Sequence, residues 1–148
     1  MTSVRVFTIG FTQTSAKMFF ERLRSAGVKR VVDVRLHNTS QLSGFAKADD
    51  LAYFLGAIEG IQYSHQPLLA PTDDMLKAYK RDRGDWATYQ ASFLNLMRER
   101  RIENSIEPIH LEGSCLLCSE AKPHHCHRSL VCDYLNQKWD RSLEVRHL

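Results

Sequence analysis

The chain is predicted to be an α/β protein: three layers, α/β/α, around a mostly parallel sheet of about five strands. Three observations predict this. Short apolar, β-branched runs alternate with stretches of helical periodicity along the whole chain. Those runs are apolar at consecutive positions, as strands covered on both faces must be. The length, 148 residues, suits one domain, which at this size buries roughly 68–70% of its unfolded surface. A single domain over residues 1–148 is therefore expected.

The elements follow in order. Val4, Val6 and Ile9 make a buried strand that stops at Gly10. Thr14 or Ser15 can cap a helix whose Met18, Phe19, Phe20 and Leu23 recur at helical spacing, and Gly27 ends it. Val28 to Val34 is a second strand, followed by a polar stretch from His37 to Gln41. Leu51, Phe54, Leu55 and Ile58 mark a helix that ends at Gly60, and Ile61-Gln62-Tyr63 starts a short strand running to His65 and Pro67. Leu68 to Asp85, charged and preceded or interrupted by Pro67 and Pro71, is predicted to be a long excursion with about one helical turn. Trp86, Tyr89, Phe93, Leu94 and Met97 lie on one face of a long helix reaching about Ile102. Leu111 to Ser119 holds the clearest remaining buried strand, Arg128 to Lys138 a helix burying Leu130, Val131, Tyr134 and Leu135, and Leu143 to His147 the last strand.

Composition excludes several classes. Hydrophobic residues at 43% and charged residues at 25% are ordinary for a globular protein and exclude a disordered chain. Twenty Lys and Arg against seventeen Asp and Glu leave +3, too mild to dictate a nucleic-acid or membrane partner. No apolar run approaches the ~18 residues that a membrane span needs. The first ten residues look like a strand and lack the layout of a secretion signal. A cytoplasmic protein, with no membrane partner and four reduced cysteines, is the expectation.

Right-handed crossovers put the C-terminal ends of parallel strands along one edge, and ligands sit outside that edge near the reversal of strand order. The polar residues fall there: Gly10 and Thr12 after the first strand, Asp33 and Arg35 after the second, His65 after the third, Cys118 and Glu120 after the fourth. The densest constellation runs from Cys118 through Glu120, Pro123 and Cys126-His127-Arg128 to Ser129, joining a strand end to a helix start. A helix N-terminus binds anions and favours a nearby thiolate, and an arginine fork adds two directed donors. Cys118, Glu120 and Asp33 are the candidate catalytic residues. Gly10, Thr12, Arg35, His65, Cys126, His127 and Arg128 are the candidate substrate-binding residues. The structural alternative makes Cys118 a buried small hydrophobe and Arg128 a partner of Asp33, with Asp33-Val34-Arg35 only an ion pair holding a loop.

Two other functions compete. Cys115-x-x-Cys118 has zinc-knuckle spacing, but Leu116 and Leu117 continue a strand, on which residues three apart face opposite ways. A zinc site would therefore use Cys118, Cys126 and one or two of His124, His125 and His127. Cys132 is expected in the core. No cofactor is otherwise expected. The basic groups Lys77, Lys80, Arg81, Arg83 and Arg98, Arg100, Arg101 could touch nucleic acid, but each is diluted by neighbouring acids and fits a solvated helix face.

Thr8-Ile9-Gly10-Phe11, Val32-Asp33-Val34-Arg35, Leu116-Leu117-Cys118-Ser119-Glu120 and Cys126-His127-Arg128 resemble the motifs of the family catalogued as domain of unknown function 488, over residues 6 to 148. That family usually has a histidine where this chain has Phe11. The resemblance implies a fold and a site, and no substrate. A weaker analogy links Cys118, Asp33-Val34-Arg35 and Arg128-Ser129 to rhodanese-like sulfurtransferases and cysteine phosphatases, whose cysteine loop is shorter than the nine residues between Cys118 and Arg128. Together these features predict an enzyme, a cysteine-dependent hydrolase or transferase, with a Cys/Arg/Asp/Glu site acting on a small anionic or phosphorylated substrate. The alternatives are a nucleotide- or nucleic-acid-binding module and a metal-binding protein.

Overall fold

In the computed structural model, residues 3–38, 44–81, 84–119 and 126–148 are described. Five strands form one parallel sheet: β1 (Val4–Gly10), β2 (Arg30–Asp33), β3 (Gln62–His65), β4 (Ser114–Cys118) and β5 (Leu143–His147), in the order β3-β2-β4-β1-β5. The sheet is all parallel among the described residues, as the continuous apolar runs require. Helices α1 (Ala16–Ala26) and α2 (Ala48–Phe54) pack on one face, and α3 (Asp73–Arg81), α4 (Trp86–Arg100), α5 (Ile102–Ser105) and α6 (His127–Lys138) on the other.

Local chemistry explains the boundaries. Ser15 accepts the amide of Met18 and caps α1, and Gly27 ends it at φ 73°. Phe19, Phe20 and Leu23 face the sheet. Helix α2 runs into a five-residue π turn, Leu55–Glu59, closed by Gly60 at φ 64°. The wider turn rotates the apolar stripe out of phase, so Ile58, expected on the buried face, is 58% exposed.

The segment from Leu68 to Asp85 differs from expectation. It contains a nine-residue helix, α3, where one turn was predicted. The prolines lie before the helix and do not break it. Thr72 supplies the cap, its hydroxyl accepting the amide of Met75 at 3.1 Å. Met75, Leu76 and Tyr79 then meet the core at helical spacing. Arg100 fastens α4 to the preceding turn: its Nη1 donates to the carbonyls of Leu68 at 2.7 Å and Ala70 at 2.8 Å.

The chain leaves β1 toward β2 and β3 on the α1/α2 side, then returns over the other face and inserts β4 between β2 and β1. The next connection, through α6, runs to β5 on the opposite edge. Connections from β4 and from its two neighbours therefore diverge, which opens a crevice at the C-terminal end of β4. Every β4 residue is buried. Its side chains alternate: Cys115 and Leu117 pack with α1 and α2, Leu116 and Cys118 with α4 and α6. Cys132 lies in the core at 2% exposure. No helix among the described residues is long and apolar enough to cross a membrane.

Candidate functional site

Strand ends assemble the site. In register, Gly10 lies beside Cys118 and Asp33 beside Leu117. The amide of Thr12 donates to Ser119 O at 3.0 Å, and that of Val34 to Leu117 O at 3.0 Å, so both neighbouring strands are zipped to the exit of β4. A cleft of about 280 Å³ opens there, lined by Arg35, His37, Cys118, Ser119, Cys126 and His127. Tyr79, Trp86 and Tyr89 form its other wall. Among the described residues, none that lines it is acidic.

Arg35, which lines the cleft, forms a buried ion pair with Asp33 behind it. Arg35 donates from Nε to Oδ1 and from Nη2 to Oδ2, each at 2.8 Å, and its amide also donates to Oδ1. Tyr63 donates its hydroxyl to Oδ2 at 2.5 Å, and Asn38 donates to Oδ2 at 3.2 Å. Burial alone would raise the Asp33 carboxyl, but the Arg35 bonds and charge and the Tyr63 bond outweigh it and hold the group below its ordinary value. Tyr63, desolvated and donating to a carboxylate, is pushed up. Arg35 itself lies 5.3 Å from the centre of the Phe11 ring. Its Nη1 is buried and has no hydrogen-bond partner among the described residues.

Two imidazoles hold the backbone beyond β2. His65 Nε2 meets Arg35 O, and His127 Nε2 meets Val34 O, both at 2.7 Å. A carbonyl only accepts, so each Nε2 carries the proton. Burial, with Arg128 nearby, pushes His127 down to about 4. Its ring is therefore neutral at pH 7, and Nδ1 keeps a lone pair.

The sulfurs sit opposite. Cys118 and Cys126 bring their sulfurs together with Cα atoms 7.6 Å apart, beyond the usual reach of a disulfide; Cys115 and Cys132 are free and buried. Arg128, in the first turn of α6 and 1% exposed, directs Nη1 at Cys118 Sγ at 3.2 Å and at Cys126 Sγ at 3.9 Å. It points to sulfur, whereas Asp33 pairs with Arg35. Cys118, Cys126 and a ring nitrogen of His127 lie within 4.8 Å of one another. Three such donors match the protein ligand count of a catalytic zinc. The guanidinium held against both sulfurs suits an anionic ligand better than a second cation.

Of the predicted residues, Arg35, Cys118, Cys126 and His127 line the cleft. Asp33, His65 and Arg128 stand behind them, each bonded to a lining residue or its backbone. Gly10 and Thr12 are placed at the exit of β4 through register and one backbone bond. Glu120, His124 and His125 lie outside the described residues, as does Arg83. Lys77 is paired with Asp73, and Arg100 with carbonyls.

Sequence reasoning missed Tyr63, Asn38, Phe11 and the aromatic wall. Tyr63 had a legible signal: two residues before His65 on β3, it shares that strand's face and lies beside Val31, two residues before Asp33. The wall had none, because it depends on how α3 meets α4.

No curated protein matches the chain, and no solved structure does. The sequence model of one family, described as Domain of unknown function DUF488, matches residues 15–135. That span runs from the cap of α1 into α6 and includes Asp33, Arg35, Cys118 and the Cys126-His127-Arg128 run, so by its matched length the chain belongs to the DUF488 family.

Proposed function

We propose that the protein is a cysteine-dependent transferase or hydrolase acting on a small anionic substrate, with Cys118 as nucleophile. The contact between Arg128 Nη1 and Cys118 Sγ carries this reading. A buried, permanently charged guanidinium stabilises a thiolate, which is the nucleophilic form of cysteine. Arg35, aligned by Asp33, offers Nη1 as a donor to the substrate's anionic group. Asp33 and His65 act as positioning residues in this scheme, since both are spent on Arg35.

Cys118 attacks the acyl or phosphoryl centre. The new bond to Sγ forms as the bond to the leaving group breaks, and the leaving group departs with the electron pair and takes a proton from water. Water or a second nucleophile cleaves the bond to sulfur and returns the thiolate.

Charge-selective alkylation tests the reading. In reduced protein, Cys118 should react faster with iodoacetate than with iodoacetamide, the reverse of a free thiol, and inorganic phosphate should protect it. Arg35→Met should abolish the preference. A free-thiol ratio at Cys118 without phosphate protection would overturn the proposal. The metal alternative has its own observable: stoichiometric zinc in untagged protein, lost on Cys126→Ser, would replace these roles.

A further inference from the structure

The nine-residue helix α3 and the start of α4 have no part in the chemistry above, yet they build one wall of the cleft. Tyr79, Trp86 and Tyr89 stand together, with Trp86 and Tyr89 stacked at 5.4 Å and 25°, and Tyr79 and Tyr89 at 4.9 Å. Tyr89 is buried, while Tyr79 and Trp86 are only partly covered. Phe93 continues the stack to His127, with centroids 5.5 Å apart. The wall therefore runs from the cleft mouth to its catalytic floor.

An aromatic surface opposite a buried arginine imposes a two-part ligand. The anionic part meets Arg35, whose Nη1 is unpartnered among the described residues and whose side chain is 3% exposed. The remainder meets the partly covered rings of Tyr79 and Trp86, against which a flat ring packs well. The volume of about 280 Å³ lies at the small end of ligand sites, which begin near ~300 Å³. From this we infer that the substrate is a ring-bearing oxyanion, with its phosphate or carboxylate on Arg35 and its ring against Tyr79 and Trp86, which Tyr89 supports from behind. This rests on the anion site proposed above and adds the class of molecule that enters it.

Protection of Cys118 in the reduced wild-type protein is the readout. Four probes are compared for the concentration that halves its alkylation by iodoacetamide: inorganic phosphate, phenyl phosphate, benzoate and adenosine monophosphate. A ring-bearing anion should protect at a concentration at least tenfold below that of inorganic phosphate. Benzoate against phenyl phosphate tells carboxylate from phosphate, and adenosine monophosphate against phenyl phosphate tells a nucleotide from a single ring. Trp86→Leu should raise the concentration needed for the ring-bearing probe about tenfold and leave that for inorganic phosphate unchanged. Equal protection by phosphate and all ring-bearing probes would overturn the ring inference and leave the anion site standing. No protection by any probe would overturn both.

Discussion

Replacing Asp33 by Asn tests whether the buried ion pair supports the cleft floor. The carboxylate is fully buried and accepts five hydrogen bonds: three from Arg35, one from Asn38 and one from Tyr63. An amide in its place turns one acceptor into a donor facing donors, and leaves Arg35 charged at 3% exposure. Leaving one buried charge uncompensated costs about 3–5 kcal/mol. For a chain of this size that lowers Tm by roughly 10 °C. Urea unfolding at pH 7 measures the loss, which is a large share of a total of about 5–15 kcal/mol.

The double variant Asp33→Asn/Arg35→Met separates the pair from its surroundings. Removing the arginine as well takes away the stranded charge, so the double variant should be more stable than the sum of the single losses implies, by about 1–3 kcal/mol. pH supplies a second measurement. The Asp33 carboxyl is held below its ordinary 3.8, so its contribution is present above that value and is lost as pH falls through the lower folded-state value. Asp33→Asn should lack that part of the acid limb. A single-variant loss below about 1 kcal/mol, or strict additivity in the double variant, would refute the reasoning.

Three further outcomes are expected. After reduction, Cys118 should alkylate at pH 7 well ahead of Cys115 and Cys132, because burial pushes both of those thiols up, Cys132 to about 12; peptide mass spectrometry after a timed quench reads the order. His127 binds its proton at about 4 in the folded protein against 6.5 ordinarily, so the unfolded chain binds it more readily between those values and stability should fall as pH drops from 6.5 toward 4. In His127→Asn that fall should shrink, seen as converging unfolding midpoints at pH 7 and pH 5. Thr72→Ala, which removes the cap on Met75 N, should cost about 1 kcal/mol in urea unfolding.

The fold was legible in the sequence because its strands are apolar at consecutive positions. Val31 and Val32 in β2 and Cys115 to Leu117 in β4 are buried on both faces and could belong only to covered parallel strands. The period of two also placed Cys115 and Cys118 on opposite faces, which the two core clusters show. Helix α3 was not legible, because its charges outweigh three apolar residues whose value appears only against α4. For the site, strand-end position brought Arg35 and Cys118 to one cleft before any contact was known. Pairing was beyond reach: whether Asp33 meets Arg35 or Arg128 depends on side-chain direction, and the meeting of Cys118 with Cys126 on how a connection folds back.

The two halves of the cleft differ in how they are fastened, and that difference predicts how they respond to change. Floor residues are bonded to strand ends or to the residues directly after them: His127 to Val34 O, His65 to Arg35 O, the Thr12 amide to Ser119 O, Arg35 to Asp33. Disturbing them disturbs strand ends at the centre of a parallel sheet, so chemistry and stability are coupled there. The wall stands on α3 and α4, which meet the sheet through apolar packing and are anchored by Arg100 to carbonyls outside the strands. Tyr79 and Trp86, at its open edge, are only partly buried where they pack against the core. On the proposed function, such a division would let substrate preference change by altering the wall while Cys118, Arg128 and Arg35 keep their positions. It requires that Trp86→Leu lose ring selectivity with nearly the wild-type unfolding midpoint, whereas no substitution of Asp33 can alter ligand binding and leave that midpoint in place.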